Sequence, residues 1–276
     1  MIHTGPQSQP KSVAVIPARY SSTRLPGKPL LEIAGQPLIV WVAQRARAAS
    51  TISRTIVATD DTRIADAVAA AGFDVMMTRA DHKTGTDRIA EVAHNLRADI
   101  IVNVQGDEPL IDPATIDLVA NALAEDETAQ MATTFESIED PADVLNPSVV
   151  KVAFDKDGYA TDFSRNPIPF PNQAVEKFGS MEAALRQEPA LLSSFKKHTG
   201  LYAYRRAFLL EFTRWPQSER ESKESLEQLR ALDRGVKIKV VEAASASIGV
   251  DTMEDLERVR AIIERRETAS GAVARP

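Results

Sequence analysis

The 276-residue chain contains no cysteine, which excludes disulfides, thiolate metal sites and a cysteine nucleophile. It contains no run of about 18 apolar residues, the length a helix needs to cross a bilayer, so a soluble protein is expected. A charged-then-apolar signal pattern is missing from the N-terminus. With the missing cysteines, this gives the expectation of a cytoplasmic location. Positive charge is in deficit, 33 Lys and Arg against 39 Asp and Glu, for a net charge of -6. That balance argues against broad electrostatic attachment to nucleic acid or to an anionic membrane. The expected partner is a small molecule, with room for a local basic site that takes phosphates.

What is present is an ordinary globular composition, 43% hydrophobic and 26% charged. At this length one α/β domain with an elaboration is expected. Residues 1–11 (MIHTGPQSQPK) are polar, proline-containing and aperiodic, and read as a disordered leader. The domain then spans 12–267, and 268–276 read as a frayed tail.

Residues 13–17 (VAVIP) form a short apolar run that enters ARYSSTRLPGKP, where Pro26, Gly27 and Pro29 forbid regular structure. Pro37 opens a helix over LIVWVAQRARAA, and RTIVATD reads as the next strand. The alternation continues with a helix near 61–71, a strand at FDVMMT, a helix near 86–97 and a strand at DIIVNV. Such alternation predicts a mainly parallel sheet covered on both faces, a three-layer α/β/α fold. Beyond Asp112 a helix over 113–124 precedes strands at MATTFES and SVVKVAF, and FSRNPIPFP is too proline-rich to remain in a sheet. This section, about 130–215, reads as an insertion or antiparallel extension. A strand at HTGLYAY, helices at RRAFLLEF and ESLEQLRAL, a strand at VKIKVVEA and a helix at DTMEDLERVRAIIERR complete the chain.

In open parallel sheets, ligands bind at the carboxyl ends of the strands, and the unusual segments lie there. The loop after the first strand carries Arg19, Arg24 and Lys28 among Ser21, Ser22, Thr23 and Gly27. Three cations with backbone N–H groups suit a triphosphate; an exposed basic loop is the other reading. It is neither a Walker A sequence nor a dinucleotide-binding glycine signature. The strand over 99–104 ends in Gln105-Gly106-Asp107-Glu108-Pro109, which offers Asp107 at a strand tip to a hard cation or simply makes a turn. Asp251 stands just before a capping-box pattern, Thr252 to Asp255, and either favours that helix dipole or supplies a second carboxylate to Mg²⁺.

Taken in order, IPARYSSTRLPGKPL, IVATDD, TRADHKTGTDR, VNVQGDEPLI, FSR, HTGLYAYR, ESLEQLR and GVDTMEDLERV resemble the 3-deoxy-manno-octulosonate cytidylyltransferase family across residues 12–265. The resemblance implies a fold of the sugar nucleotidyltransferase type and transfer of CMP from CTP to 3-deoxy-D-manno-octulosonate (Kdo), for lipopolysaccharide assembly. It implies that Arg19, Ser22, Arg24 and Lys28 bind CTP and that Asp107 and Asp251 hold Mg²⁺. It further implies that Thr84, Gly85, Thr86 and Arg88 belong to the CTP site. Around the acidic sugar it places Gln105, Arg165, His198, Tyr202, Glu227 and Gln228. A homodimer formed through the inserted section is also implied. On the residues alone, His198 is equally a surface histidine, Glu227 and Gln228 a solvated helix face, and Arg165 an edge charge.

The chain departs from the family pattern at Glu219 and Arg220, where proline and an apolar residue are usual, and across 168–196. Related enzymes acting on sialic acid or an 8-amino variant of Kdo are the nearest alternatives. A glycosyltransferase calls for an Asp-x-Asp motif where this chain has Gln105-Gly106-Asp107-Glu108; a nucleotide sensor on the same fold has no need of the paired acids.

Overall fold

The computed structural model describes residues 11–21 and 25–273, with side chains through Arg265. Strand Ser12–Ala18 (β1) faces two apolar layers: Ala14, Ile16 and Ala18 enter one core, Val13 and Val15 the other. A strand buried on both faces reads as a continuous apolar run, and each such Val or Ile contributes roughly 1.5–3 kcal/mol by leaving water. A small hairpin follows, Glu32–Ile33 (β2) with Gln36–Pro37 (β3). The chain continues through Leu38–Arg47 (α1), Ile52–Thr59 (β4), Thr62–Ala70 (α2), Asp74–Met77 (β5), Gly85–His94 (α3), Ile100–Asn103 (β6) and Pro113–Glu125 (α4). The expected alternation of strand and helix is therefore present through this half.

Beyond α4 come Met131–Ser137 (β7), Pro141–Leu145 (α5), Lys151–Phe154 (β8), Ala160–Ser164 (β9), Asn172–Phe178 (α6) and Met181–Gln187 (α7). Then follow Lys196–Arg205 (β10), Arg206–Phe212 (α8), Glu219–Glu224 (α9), Gln228–Leu232 (α10), Ile238–Glu242 (β11) and Met253–Val273 (α11). The main path of the sheet is β11-β7-β10-β6-β1-β4-β5. β4 and β6 flank β1 in parallel, β5 continues from β4, and β11 is parallel to β7. β10 runs antiparallel between β6 and β7. Helices α1, α2, α4 and α11 cover one face, and α3, α8 and α10 the other. The three-layer α/β/α fold and its mainly parallel mixed sheet are as expected.

Several boundaries differ. β7 and β10, both within the expected section of about 130–215, are neighbours inside the main sheet and α8 packs on it, which leaves 138–195 as the stretch between two main-sheet strands. Its small core gathers Ile138, Val144, Met181, Leu185 and Phe195, and β8 and β9 branch off through one pairing of β8 with β10. β9 stops at Ser164, ahead of Pro167, because proline has no N–H to give a ladder. The single helix expected at ESLEQLRAL is broken, since Ser225 adopts a left-handed φ of 55° between α9 and α10. α11 runs to Val273, past the expected end at 267. Lys11 belongs to the fold rather than to a leader: its carbonyl accepts from the N–H of Asp99 at 2.9 Å and its N–H donates to Asp99 Oδ2 at 2.8 Å. The rest of the expected leader, 1–10, and 274–276 of the expected tail lie outside the described residues.

Candidate active site

The acid-bearing turn is placed by β6. The Val104 N–H still reaches the Val15 carbonyl at 3.3 Å, so residues 105–109 close over the carboxyl end of β1. A Cβ on Gly106 would lie 2.6 Å from the Pro17 carbonyl oxygen; only glycine lets the two backbones approach so closely. From the other direction, the Val250 N–H donates to the Asp107 carbonyl at 2.9 Å, tying this turn to the segment before α11. Thr252 and Asp255 form the expected reciprocal cap, with Thr252 N–H on Asp255 Oδ2 at 2.9 Å and Asp255 N–H on Thr252 Oγ1 at 3.1 Å. The Asp251 N–H joins the same carboxylate at 3.1 Å, which fixes the backbone that carries the second acid.

Lys28 brings the two acids together. Its Nζ lies 2.7 Å from Asp107 Oδ2 and 3.2 Å from Asp251 Oδ1. The lysine is aimed by Gly27, whose φ of 69° turns the loop and whose missing Cβ leaves room for the Tyr20 ring at 3.3 Å. Lys28 is 14% exposed against 33% and 45% for the two acids, so the carboxylates are nearer the surface than the lysine between them. Hard oxygen donors that already converge on one positive charge fit Mg²⁺, which takes one or two protein carboxylates and fills its remaining positions with water and phosphate oxygens. Among the described residues no group of three or more side chains is arranged as a metal cage. Beside the pair, Glu108 turns its carboxyl inward; burial first and the Asp107 charge second push it up to about 7.

A cleft of about 240 Å³ opens next to this turn, and Gly85, Thr86, Gln105, His198, Tyr202, Glu227 and Gln228 all line it. These expected residues come from four separate segments. Gln105 Nε2 donates to the Gly200 carbonyl at 2.7 Å, and Thr86 Oγ1 donates to Glu227 Oε2 at 2.5 Å. Burial raises the Glu227 carboxyl above its ordinary range. Thr84 caps α3 in a capping box with Asp87 and lines an adjoining cleft of about 430 Å³. A roomier cleft of about 670 Å³ along α3, around His82 and His94, contains none of the expected residues, so volume alone does not locate the chemistry.

His198 is neutral here. Its ring lies 5.0 Å edge-on from Phe163 and 5.4 Å from Tyr202, Nε2 is 2.9 Å from Thr133 Oγ1, and burial lowers its pKa to about 3. It can serve hydroxyls but offers no charge to a sugar carboxylate. Arg165 is not brought to the cleft: Nε donates to the Glu224 carbonyl at 2.8 Å and Nη1 to the Pro147 carbonyl at 3.0 Å. In this arrangement its guanidinium holds the end of α9 instead. Arg88 does not line the cleft either. It is fully buried, its Nη1 lies 3.3 Å from Asp60 Oδ1 and also donates to Thr78 Oγ1, and Nε and Nη2 have no partner among the described residues. Burial lowers its pKa, and the charge of Arg19 adds to that effect. Among the described residues Arg19 Nη2 is enclosed and without a partner too, so both guanidiniums keep donors that no described side chain uses. Ser22 and Arg24 lie outside the described residues.

Asp60 and Asn103 also stand at this end of the sheet, outside the site residues the family pattern marks. Asp60 directly follows the strand at IVAT, as Asp107 follows the one at DIIVNV, and an acid at a strand tip is the available signal. Asn103 is the polar residue closing an apolar central strand.

Residues 13–238 match the family model described as "Cytidylyltransferase". A 3-deoxy-manno-octulosonate cytidylyltransferase from Geobacter sulfurreducens is 51% identical over 246 residues, covering 89% of this chain and 96% of that one. One from Pseudomonas fluorescens is 51% identical over 254 residues, covering 91% and 97%. A solved CMP-2-keto-3-deoxy-manno-octonic acid synthetase in complex with CTP superposes with a TM-score of 0.83 at 42% identity, covering 93% of this chain and 99% of that one. A cytidylyltransferase structure from Leptospira borgpetersenii, 16% identical at a TM-score of 0.59, shares the fold. With the paired acids, the glycine-aimed lysine and relatives matched over nearly their whole length, the chain belongs to the 3-deoxy-manno-octulosonate cytidylyltransferase family.

Proposed function

We propose that this chain transfers CMP from CTP to the anomeric hydroxyl of Kdo, releasing diphosphate and supplying CMP-Kdo for lipopolysaccharide assembly. The observation that carries the reading is Lys28 held between Asp107 and Asp251, with the sugar-side cleft opening two residues away at Gln105. The reaction has two electrostatic obstacles: a weakly nucleophilic hydroxyl and an α-phosphate shielded by negative charge. Mg²⁺ held by Asp107 and Asp251 would supply charge at the phosphate and acidify the hydroxyl. Lys28 and Arg19 neutralise the diphosphate as it leaves, with Ser22 and Arg24 added on the strength of the family pattern. The family pattern puts Thr84, Gly85, Thr86 and Arg88 on the nucleotide side, with Gly85 and Thr86 at its border with the sugar-side cleft and the fully buried Arg88 acting from behind it. Gln105, Tyr202, Glu227, Gln228 and the neutral His198 orient the sugar, which contributes positioning rather than proton transfer. None of these side chains is assigned as a general base.

The same reading extends to a cytoplasmic homodimer. Phe170, on the inserted section, is 50% exposed, and an apolar side chain set on that section suits burial against a second copy. Sedimentation equilibrium is the direct measure of that assembly.

Pyrophosphate release across CTP, UTP, ATP and GTP, each with Kdo, 8-amino-Kdo and sialic acid, tests the function. CTP with Kdo is expected to exceed every other pairing by at least about tenfold in kcat/KM. A faster reaction with another sugar or nucleotide reassigns the substrate; no release with any pairing removes the transferase reading.

A further inference from the structure

We infer that Asn103 contacts the substrate directly: its side-chain oxygen accepts a hydrogen bond from a hydroxyl of the keto-acid sugar. The inference rests on assigning the 240 Å³ cleft to that sugar.

Ile100, Ile101 and Val102, the rest of β6, are fully buried apolar residues. Asn103 closes the strand at 3% exposure, paired with Val15 on β1 and Tyr202 on β10 at the centre of the sheet. A polar side chain in such a place ordinarily finds a partner. Asn103 Oδ1 has none among the described residues. It lines the sugar-side cleft, and so does Gln228, whose Nε2 is enclosed and unpartnered in the same way. An acceptor and a donor left over on one small cavity match a hydroxyl group, which accepts and donates at once.

Three neighbours on the cleft already have partners of their own. Gln105 Nε2 is engaged with the Gly200 carbonyl, His198 Nε2 with Thr133, and Glu227 Oε2 with Thr86. A ligand can complete them without breaking anything already made. The χ2 torsion of asparagine is soft, so a small rotation presents Oδ1 to the floor of the cleft. A sugar hydroxyl in the right place completes the bond on this amide, whereas an analogue without that hydroxyl leaves it to water or unmade. That asymmetry is how buried polar groups discriminate against analogues lacking their partner.

Asn103→Leu keeps nearly the size of the side chain and removes the acceptor. It is expected to raise KM for Kdo at least about tenfold, to leave KM for CTP within about twofold, and to leave the thermal midpoint of the ligand-free protein unchanged or higher. The last readout separates contact from scaffold, because losing a structural hydrogen bond lowers the midpoint whereas removing an orphan does not. Asn103→Ala serves where leucine does not fit, since the space it leaves adjoins the cleft; the same KM changes are expected. An unchanged KM for Kdo overturns the contact. So does a rise in both KM values with a lowered midpoint, which would mark a structural asparagine. Wild-type turnover of Kdo is the control: its absence removes the functional reading and the contact with it, whereas its presence with an unaffected variant removes the contact alone.

Discussion

At the scale of single residues, His198 shows how the pocket trades charge for shape. Its folded pKa of about 3 lies below the ordinary 6.5, so the unfolded chain binds a proton that the native chain refuses. By linkage, the folded state is favoured in full above the ordinary value, and this contribution is progressively lost as pH falls from 6.5 toward 3. Wild type is therefore expected to lose more thermal stability than His198→Asn between neutral pH and about pH 5. Parallel melting profiles for the two proteins would show that the imidazole is not held neutral. The residues legible in the sequence were those marked by backbone punctuation: Gly27 before Lys28, Gly106 before Asp107, and the Thr252 cap after Asp251. Asp60 and Asn103 carry only a weak mark, a polar residue at the end of an apolar strand, and the neutral state of His198 carries none, because enclosure by distant segments does not show in a residue's own sequence neighbours.

Among elements, the α9–α10 pair is the instructive case. Its charged run departs from the family pattern, and the structure gives Arg220 and Glu221 of that run partners. Ser218 and Glu221 make a capping box at the start of α9. Arg220 spans two carboxylates, with Nη1 2.9 Å from Asp233 and Nη2 on Asp162. Glu221, 2% exposed, takes a forked grip from Arg230, 11% exposed, whose Nε donates at 2.7 Å. Arg230 also donates to the Trp215 carbonyl at 3.1 Å. This lock fixes the strained turn at Ser225 and so the placement of Glu227 and Gln228 on the cleft. Helical spacing carries through ESLEQLRAL, so the sequence pattern gives one helix where packing of Arg230 back onto Glu221 enforces two. Arg230→Met strands a buried carboxylate and is expected to cost roughly 3–5 kcal/mol in thermal unfolding, with Glu221→Leu in the same chain restoring much of the loss. A single variant as stable as wild type would mean the pair is not buried in solution.

For the whole molecule, strand order does what no motif can. β1 and β6 are adjacent and parallel, so the loop after one and the turn after the other emerge at the same edge. The Val250 to Asp107 hydrogen bond then brings in the segment before α11. The layered architecture was legible from alternating strand and helix patterns. The antiparallel placement of β10 between β6 and β7 was not, because a strand's own residues do not say which distant strands it pairs with. The central claim is that Asp107 and Asp251 jointly hold one divalent cation against the triphosphate. Titration of Mn²⁺, as a paramagnetic substitute for Mg²⁺, into the protein with a non-hydrolysable CTP analogue tests it directly. Asp107→Asn and Asp251→Asn are each expected to weaken the bound signal by at least about tenfold relative to wild type. Equal Mn²⁺ affinity in all three proteins would contradict the shared site.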